Sequence, residues 1–138
     1  MRTIEGMSVL ITGGGSGIGA GTAKYFAERG AKVVIAGRRE ANLKEVATAI
    51  GSNVKFVVAD VTVEADRSAM IAAALDHGGK LDVLFNNAGN ITHTPFMDLG
   101  EDIIQAIMQS NVIAPMLLTQ AAVPHLEKTE GAVAFVGS

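Results

Sequence analysis

Cysteine is absent from this sequence of 138 residues, which excludes disulfides and thiolate metal sites within it. The three histidines, His77, His93 and His125, show no ligand spacing and form no cluster. They read as surface or loop residues, and no metal is expected. Basic blocks are missing too. The 11 Lys and Arg residues stand against 14 Asp and Glu, a formal net charge of −3 at pH 7. Neither nucleic acid nor an anionic membrane is an expected partner for such a chain. The opening residues, Met1 to Gly6, lack a long apolar run and carry an early acid, Glu5. No signal peptide is expected there, and the default expectation is a soluble cytoplasmic protein. Linkers, low-complexity tracts and repeats of solenoid size are also lacking.

What the chain has is apolar surface. With 49% hydrophobic residues it can build the core of one domain. Two uncharged stretches, Gly6 to Ala23 and Ile103 to Pro124, need weighing as membrane spans. The first is full of glycine. The second holds Gln105, Gln109, Ser110, Asn111, Pro115, Thr119, Gln120 and Pro124, more polar groups than a spanning helix tolerates. It reads as a helix buried in protein. The methionines, Met108 and Met116 among them, read as core filling.

Short β-branched runs alternate with helical patterns. Strands are expected at Ser8 to Ile11, Lys32 to Ala36, Val54 to Ala59, Leu81 to Phe85 and Ala132 to Val136. Helices are expected at Gly17 to Arg29, Glu40 to Ile50 and Val63 to Asp76, with a long one from about Asp98 to Lys128, bent near Pro115. Ala20, Ala23, Tyr25, Phe26 and Ala27 should supply the apolar surface of the first. The strands are near-continuous apolar runs, as expected of strands covered on both faces. This alternation predicts an α/β, doubly wound parallel sheet of five strands.

The turn between the first strand and the first helix is Thr12-Gly13-Gly14-Gly15-Ser16-Gly17-Ile18-Gly19. A plain strand-to-helix turn needs fewer glycines. A helix N-terminus offers unpaired N–H groups and partial positive charge to a phosphate, and glycine lets the backbone approach it. Gly15, Gly17 and Ala20 fit G-x-G-x-x-A, a weak match alone. At the end of the second strand, about twenty residues past the glycines, an acid often accepts a hydrogen bond from the adenosine ribose 2′-OH. Here Gly37 is followed by Arg38 and Arg39. A guanidinium can pair with a 2′-phosphate, so NADP(H) is favoured over NAD(H). The alternative is that both arginines are solvated surface charges. Asp60 and Val61 close the third strand, where an acid faces the ligand crevice; an N-cap at Asp60 or Thr62 fits equally well. Asn86-Asn87-Ala88-Gly89 ends the fourth strand. Two amides there can hold the strand ends together, whereas a simple Asn-Gly turn does not explain the placement.

Thr12, Gly13, Gly17 and Gly19, together with Asn86-Asn87-Ala88-Gly89, strongly resemble the short-chain dehydrogenase/reductase family, and the likeness runs along the entire chain. It implies a Rossmann-like, NAD(P)-binding single domain over 1–138, equivalent to the family's N-terminal part. The implied cofactor residues are Thr12, Gly13, Gly15, Ser16, Gly17, Ile18, Gly19, Arg38, Arg39, Asp60, Val61, Asn87, Ala88 and Gly89. By the same likeness Asp60 contacts the adenine amino group and Val61 lines that pocket. Asn111 matches the asparagine that helps hold a proton-relay water; a capped kink ahead of Pro115 is the alternative. Ser138 matches the serine that steadies the substrate carbonyl oxygen.

The family's Tyr-x-x-x-Lys pair would lie beyond Ser138. Tyr25 and Arg29 sit on the first helix and do not replace it. The expected function is NADP(H)-dependent hydride transfer with a small carbonyl or alcohol substrate, with the 138-residue chain alone inactive. The alternative is a non-catalytic dinucleotide-binding module or an assembly partner. His93 and Thr94, after the Asn-Asn-Ala-Gly motif, are candidates to border a substrate. An apolar face at Ile103, Ile104, Ile107, Met108 and Val112, and the edge Ala132 to Val136, predict a homo-oligomer through the long helix near 98–128.

Overall fold

Strand and helix alternate from Ser8 to Phe135, and the computed structural model describes residues 2–137. The first half comprises β1 (Ser8–Thr12), α1 (Gly17–Glu28), β2 (Lys32–Gly37), α2 (Glu40–Ile50), β3 (Val54–Val58), α3 (Glu64–Gly78) and β4 (Val83–Asn86). A short 3-10 turn, Phe96–Asp98, then leads to α4 (Glu101–Met108). A π-helical turn, Gln109–Ile113, joins α4 to α5 (Ala114–Thr129), and β5 is Ala132–Phe135. All five strands run parallel in the order β3-β2-β1-β4-β5, with Thr12 beside Ala36, Ile11 beside Phe85 and Asn86 beside Phe135. This is the expected doubly wound α/β sheet. The chain steps outward from β1 to β3, then crosses back to β4 on the other side of β1. That reversal creates a crevice at the C-terminal strand ends, between β1 and β4.

Side-chain alternation sends each strand's residues to two cores. Val9, Ile11, Val33, Ile35 and Val54 meet Ala23, Ala27 and Leu43 of α1 and α2. Leu10, Val34, Ala36 and Leu84 meet Met70, Ala74, Leu118, Ala122 and Leu126 of α3 and α5. Each fully buried Leu, Ile or Val contributes about 1.5–3 kcal/mol. Coverage of both faces holds for β1, whose residues are all buried. It fails at the sheet edges, where Lys55 and Val58 of β3 and Ala132 and Phe135 of β5 are exposed.

Several expectations change. Tyr25 is exposed, its ring 3.7 Å under the Arg29 guanidinium, so α1 packs through Ala23, Ala27 and the partly buried Phe26 without it. Met108 and Met116 lie outside the core, which takes Met70. His77 and His125 are on helices, and the His77 ring nitrogen Nε2 is 2.8 Å from the Asn53 carbonyl. The helical stretch Glu101–Thr129 is long and apolar enough to cross a membrane by length and composition. It is not enclosed in protein as expected: α4 buries nothing, and α5 lays one stripe, Ala114, Leu118, Ala122 and Leu126, on the sheet. The irregularity falls just before Pro115, where the Ala114 N–H reaches back five residues to Gln109 O. Pro115, with no N–H to give, cannot bond the carbonyl four residues before it.

Candidate functional site

The turn after β1 is stapled on both sides. Gly14 N–H donates to Ala36 O of β2 at 3.1 Å. Thr12 Oγ1, buried, accepts the N–H groups of Asn87 and Ala88 at 3.0 and 2.9 Å. Asn87 Nδ2 returns two bonds, to the carbonyls of Thr12 and Gly13, each 3.1 Å. The amides thus hold the strand ends together as expected, and Asn86 Nδ2 extends the tie to Thr119 Oγ1 of α5 at 3.1 Å. Gly13 has φ +66°, a backbone state that favours glycine. Gly19 packs the first turn of α1 against that same backbone. A β-carbon there would overlap Gly13 O and approach Asn87 Nδ2 to 2.7 Å. Ser16 precedes α1 in extended conformation without capping it, and no acid occupies the first helical turn. The helix start therefore keeps its free N–H groups and partial positive charge.

These elements bound a cleft of about 780 Å³, the size of a small-molecule site. Gly13, Gly15, Ser16, Gly17, Ile18, Arg38, Arg39, Asp60, Val61, Asn87, Ala88 and Gly89 line it. Thr12 and Gly19 do not. They lie behind it, buried, and shape its wall. Ala36, Asn42, Leu43, Ala59, Asn90, Ala106 and Ser110 line the cleft as well and were not expected there, and so do Gly37 and Thr62, which the sequence offered only as a strand end and a cap. Most sit next to a motif residue, but only the fold shows which helix faces turn inward.

Asp60 caps no helix. Its Oδ1 accepts from Thr62 N at 2.9 Å and from Thr62 Oγ1 at 2.7 Å, while α3 starts after Val63. The Thr62 hydroxyl, then the Thr62 N–H, hold the Asp60 carboxyl below its ordinary pKa; burial opposes them and the Arg38 charge assists. Asp60 is therefore an anion at neutral pH. Beneath it, buried Arg67 Nη1 donates to Val61 O at 2.8 Å and fixes the loop. Arg38 and Arg39 are exposed and have no acid within ion-pair distance among the described residues.

Asn111 lies in the π turn and is exposed; it does not line the cleft. Its Oδ1 accepts from Asn90 N and its Nδ2 donates to Asn90 O, both at 2.7 Å. Ser110 Oγ adds a bond to Asn111 Oδ1 at 2.9 Å. The side chain thus ties the loop after β4 to the α4–α5 junction. Ser138 lies outside the described residues. His93 and Thr94 do not line the cleft, and Thr94 bonds Thr92 within its own loop. Neither Tyr25 nor Arg29 lines it.

A family model described as short chain dehydrogenase matches residues 7–138. An L-fucose dehydrogenase of Bos taurus is 37% identical over 96% of this chain and 49% of its own. A short-chain dehydrogenase/reductase of unknown function from Caenorhabditis elegans, solved with cofactor, superposes with a TM-score of 0.92 at 37% identity, covering 98% of this chain and 54% of that one. A 3-ketoacyl-(acyl-carrier-protein) reductase from Brucella melitensis, complexed with NADH, gives 0.92 at 40% identity, covering 99% and 59%. The chain spans about half the length of the curated relatives it matches.

Proposed function

This chain belongs to the short-chain dehydrogenase family, and from that premise we propose that it binds a nicotinamide dinucleotide, NADP(H) in preference to NAD(H), for an oxidoreductase acting on a carbonyl or alcohol. The observation that carries the reading is the cleft itself. It brings the glycine turn, the Arg38 and Arg39 pair, Asp60 and the Asn87-Ala88-Gly89 loop to one crevice at the strand ends. Bare backbone at Gly13, Gly15 and Gly17, beside the uncapped start of α1, suits a pyrophosphate. Asp60, ionised and held by Thr62, suits an adenine amino group. Ala88 and Gly89 leave room for the nicotinamide ribose. When bound, the nicotinamide supplies or accepts the hydride. The part of Asn111 is to hold the loop after β4 in place through Asn90; by resemblance it also helps hold a relay water, and Ser138 steadies the substrate oxygen.

The NADP(H) preference rests on charge. No acid stands at the end of β2, and two guanidinium groups with no acid within ion-pair distance among the described residues line the cleft. A charge-assisted bond to a 2′-phosphate contributes about 1.5–3 kcal/mol, so Arg38→Asp should lower the NADPH/NADH affinity ratio about 30-fold or more. Nucleotide fluorescence titration reads this directly. An unchanged ratio would sink the assignment.

Assembly is a second part of the proposal, favoured by the uncovered helices. Ile104, Met108, Val112 and Ile113 are each more than two-fifths exposed, and Met116 is 64% exposed. Apolar faces of this extent seek cover. We expect light scattering at micromolar concentration to give a mass above that of one chain, and Met108→Lys combined with Val112→Lys to lower it. A single-chain mass for the unmodified protein would end this part of the reading.

A further inference from the structure

We propose that Asn42 is a further determinant of cofactor choice, donating its side-chain amide to the adenosine 2′-phosphate beside Arg38 and Arg39. The inference rests on reading the cleft as an NADP(H) site. Asn42 is the third residue of α2 and lines the cleft with Gly15, Arg38 and Arg39. Its helix has no other use for an amide. Asparagine is a weak helix former and helps near a helix start when its side chain caps a backbone N–H. Here Arg39 holds the N-cap position and α2 has no side-chain cap, so the half-buried Asn42 amide is left to the cleft it lines.

Its placement is tightly defined. A β-carbon built on Gly15 would lie 3.3 Å from Asn42 Cβ, so the glycine turn and α2 nearly touch at this point. The neighbouring Leu43 is fully buried and anchors α2 against Gly37 and Gly15. A ligand group held between Gly15 and Arg38 therefore meets Asn42. The amide has two faces. Toward a 2′-phosphate, Nδ2 donates; toward a 2′-hydroxyl, Oδ1 accepts. The flanking guanidinium groups select the anion, and the amide then adds a third donor without adding charge.

Asn42→Asp keeps the shape, removes both donors and adds a negative charge. With the full chain, we expect NADPH affinity to fall about tenfold or more and NADH affinity to stay within about twofold. Asn42→Leu, similar in size and better in a helix, should lower NADPH affinity about threefold and NADH affinity by less, because the bond lost to a neutral 2′-hydroxyl is the weaker one. Losses equal for both nucleotides in the two variants would overturn the proposal, because Asn42 would then only shape the cleft. Arg38→Asp separates the two levels of failure. A ratio that shifts with Arg38→Asp but not with Asn42→Asp overturns this proposal alone. A ratio that shifts with neither overturns the NADP(H) reading beneath it.

Discussion

Replacing Gly19 with alanine is expected to destabilise the chain by about 3 kcal/mol and to weaken NADPH binding about 100-fold. Two effects oppose each other. Alanine in a helix is favoured over glycine by about 1 kcal/mol. Against that stands a steric overlap that cannot be relieved locally. The new methyl would meet Gly13 O and Asn87 Nδ2, and those two atoms are hydrogen-bonded to each other at 3.1 Å. Gly13 sits at φ +66° and cannot swing aside without breaking that bond. The start of α1 must move instead, carrying Ser16, Gly17 and Ile18 away from the cleft. Gly21 is the control. It lies in the same helix with nothing within 4 Å of a built β-carbon. Gly21→Ala should stabilise by up to about 1 kcal/mol and leave binding alone. Denaturant unfolding and NADPH titration of both variants decide the matter: a gain in stability at Gly19 matching that at Gly21 would refute the steric account.

The glycine turn shows what was legible in the sequence. Its density of glycine pointed to a phosphate cradle, yet the residues divide by role in a way spacing cannot reveal. Gly15 and Gly17 face the cleft, while Gly19 and Thr12 shape its wall from behind. Helix α2 was readable to the residue, because Gly51 ends it at φ +122°. Strand β4 was not. Leu81 and Asp82 are as buried as a strand, and the Asp82 backbone already bonds Ser8 O and Ala132 N, but residue-to-residue pairing with β1 and β5 begins only at Val83. The long helix misled most. Its apolar residues signalled burial, but one sheet face accepts only one stripe, which α5 fills with Ala114, Leu118, Ala122 and Leu126. Met108 and Met116 fall on the other sides of that register and stay exposed. The π turn at Gln109–Ile113 has no sequence period of its own. Its partner Asn90 is distant in sequence, so the pairing with Asn111 appears only once β4 and α4 are placed.

Asp82→Ala is expected to cost about 3 kcal/mol, although nothing in the sequence marks Asp82 as special. Its side chain is 1% exposed. One carboxylate oxygen accepts Ser8 N at 2.8 Å and meets Lys80 Nζ at 3.2 Å; the other accepts Arg2 Nη2 at 2.7 Å. Arg2 also donates to Glu130 O at 2.8 Å, so one carboxylate joins the N-terminal arm, β1, the approach to β4 and the end of α5. The cost divides unequally. Arg2 and Lys80 are about half exposed and turn to water when released, so each ion pair contributes about 1 kcal/mol or less. Ser8 N–H is buried and has no such recourse, and an unsatisfied buried donor costs about 1–3 kcal/mol. Arg2→Ala leaves Asp82 with Ser8 and Lys80, and should therefore cost only about 1 kcal/mol. The knot sits at the N-terminal ends of the strands, away from the cleft. NADPH affinity of folded Asp82→Ala should accordingly match the unmodified chain. Urea unfolding separates the cases: equal losses for Asp82→Ala and Arg2→Ala would mean that the exposed ion pair, and not the buried Ser8 N–H, carries the energy.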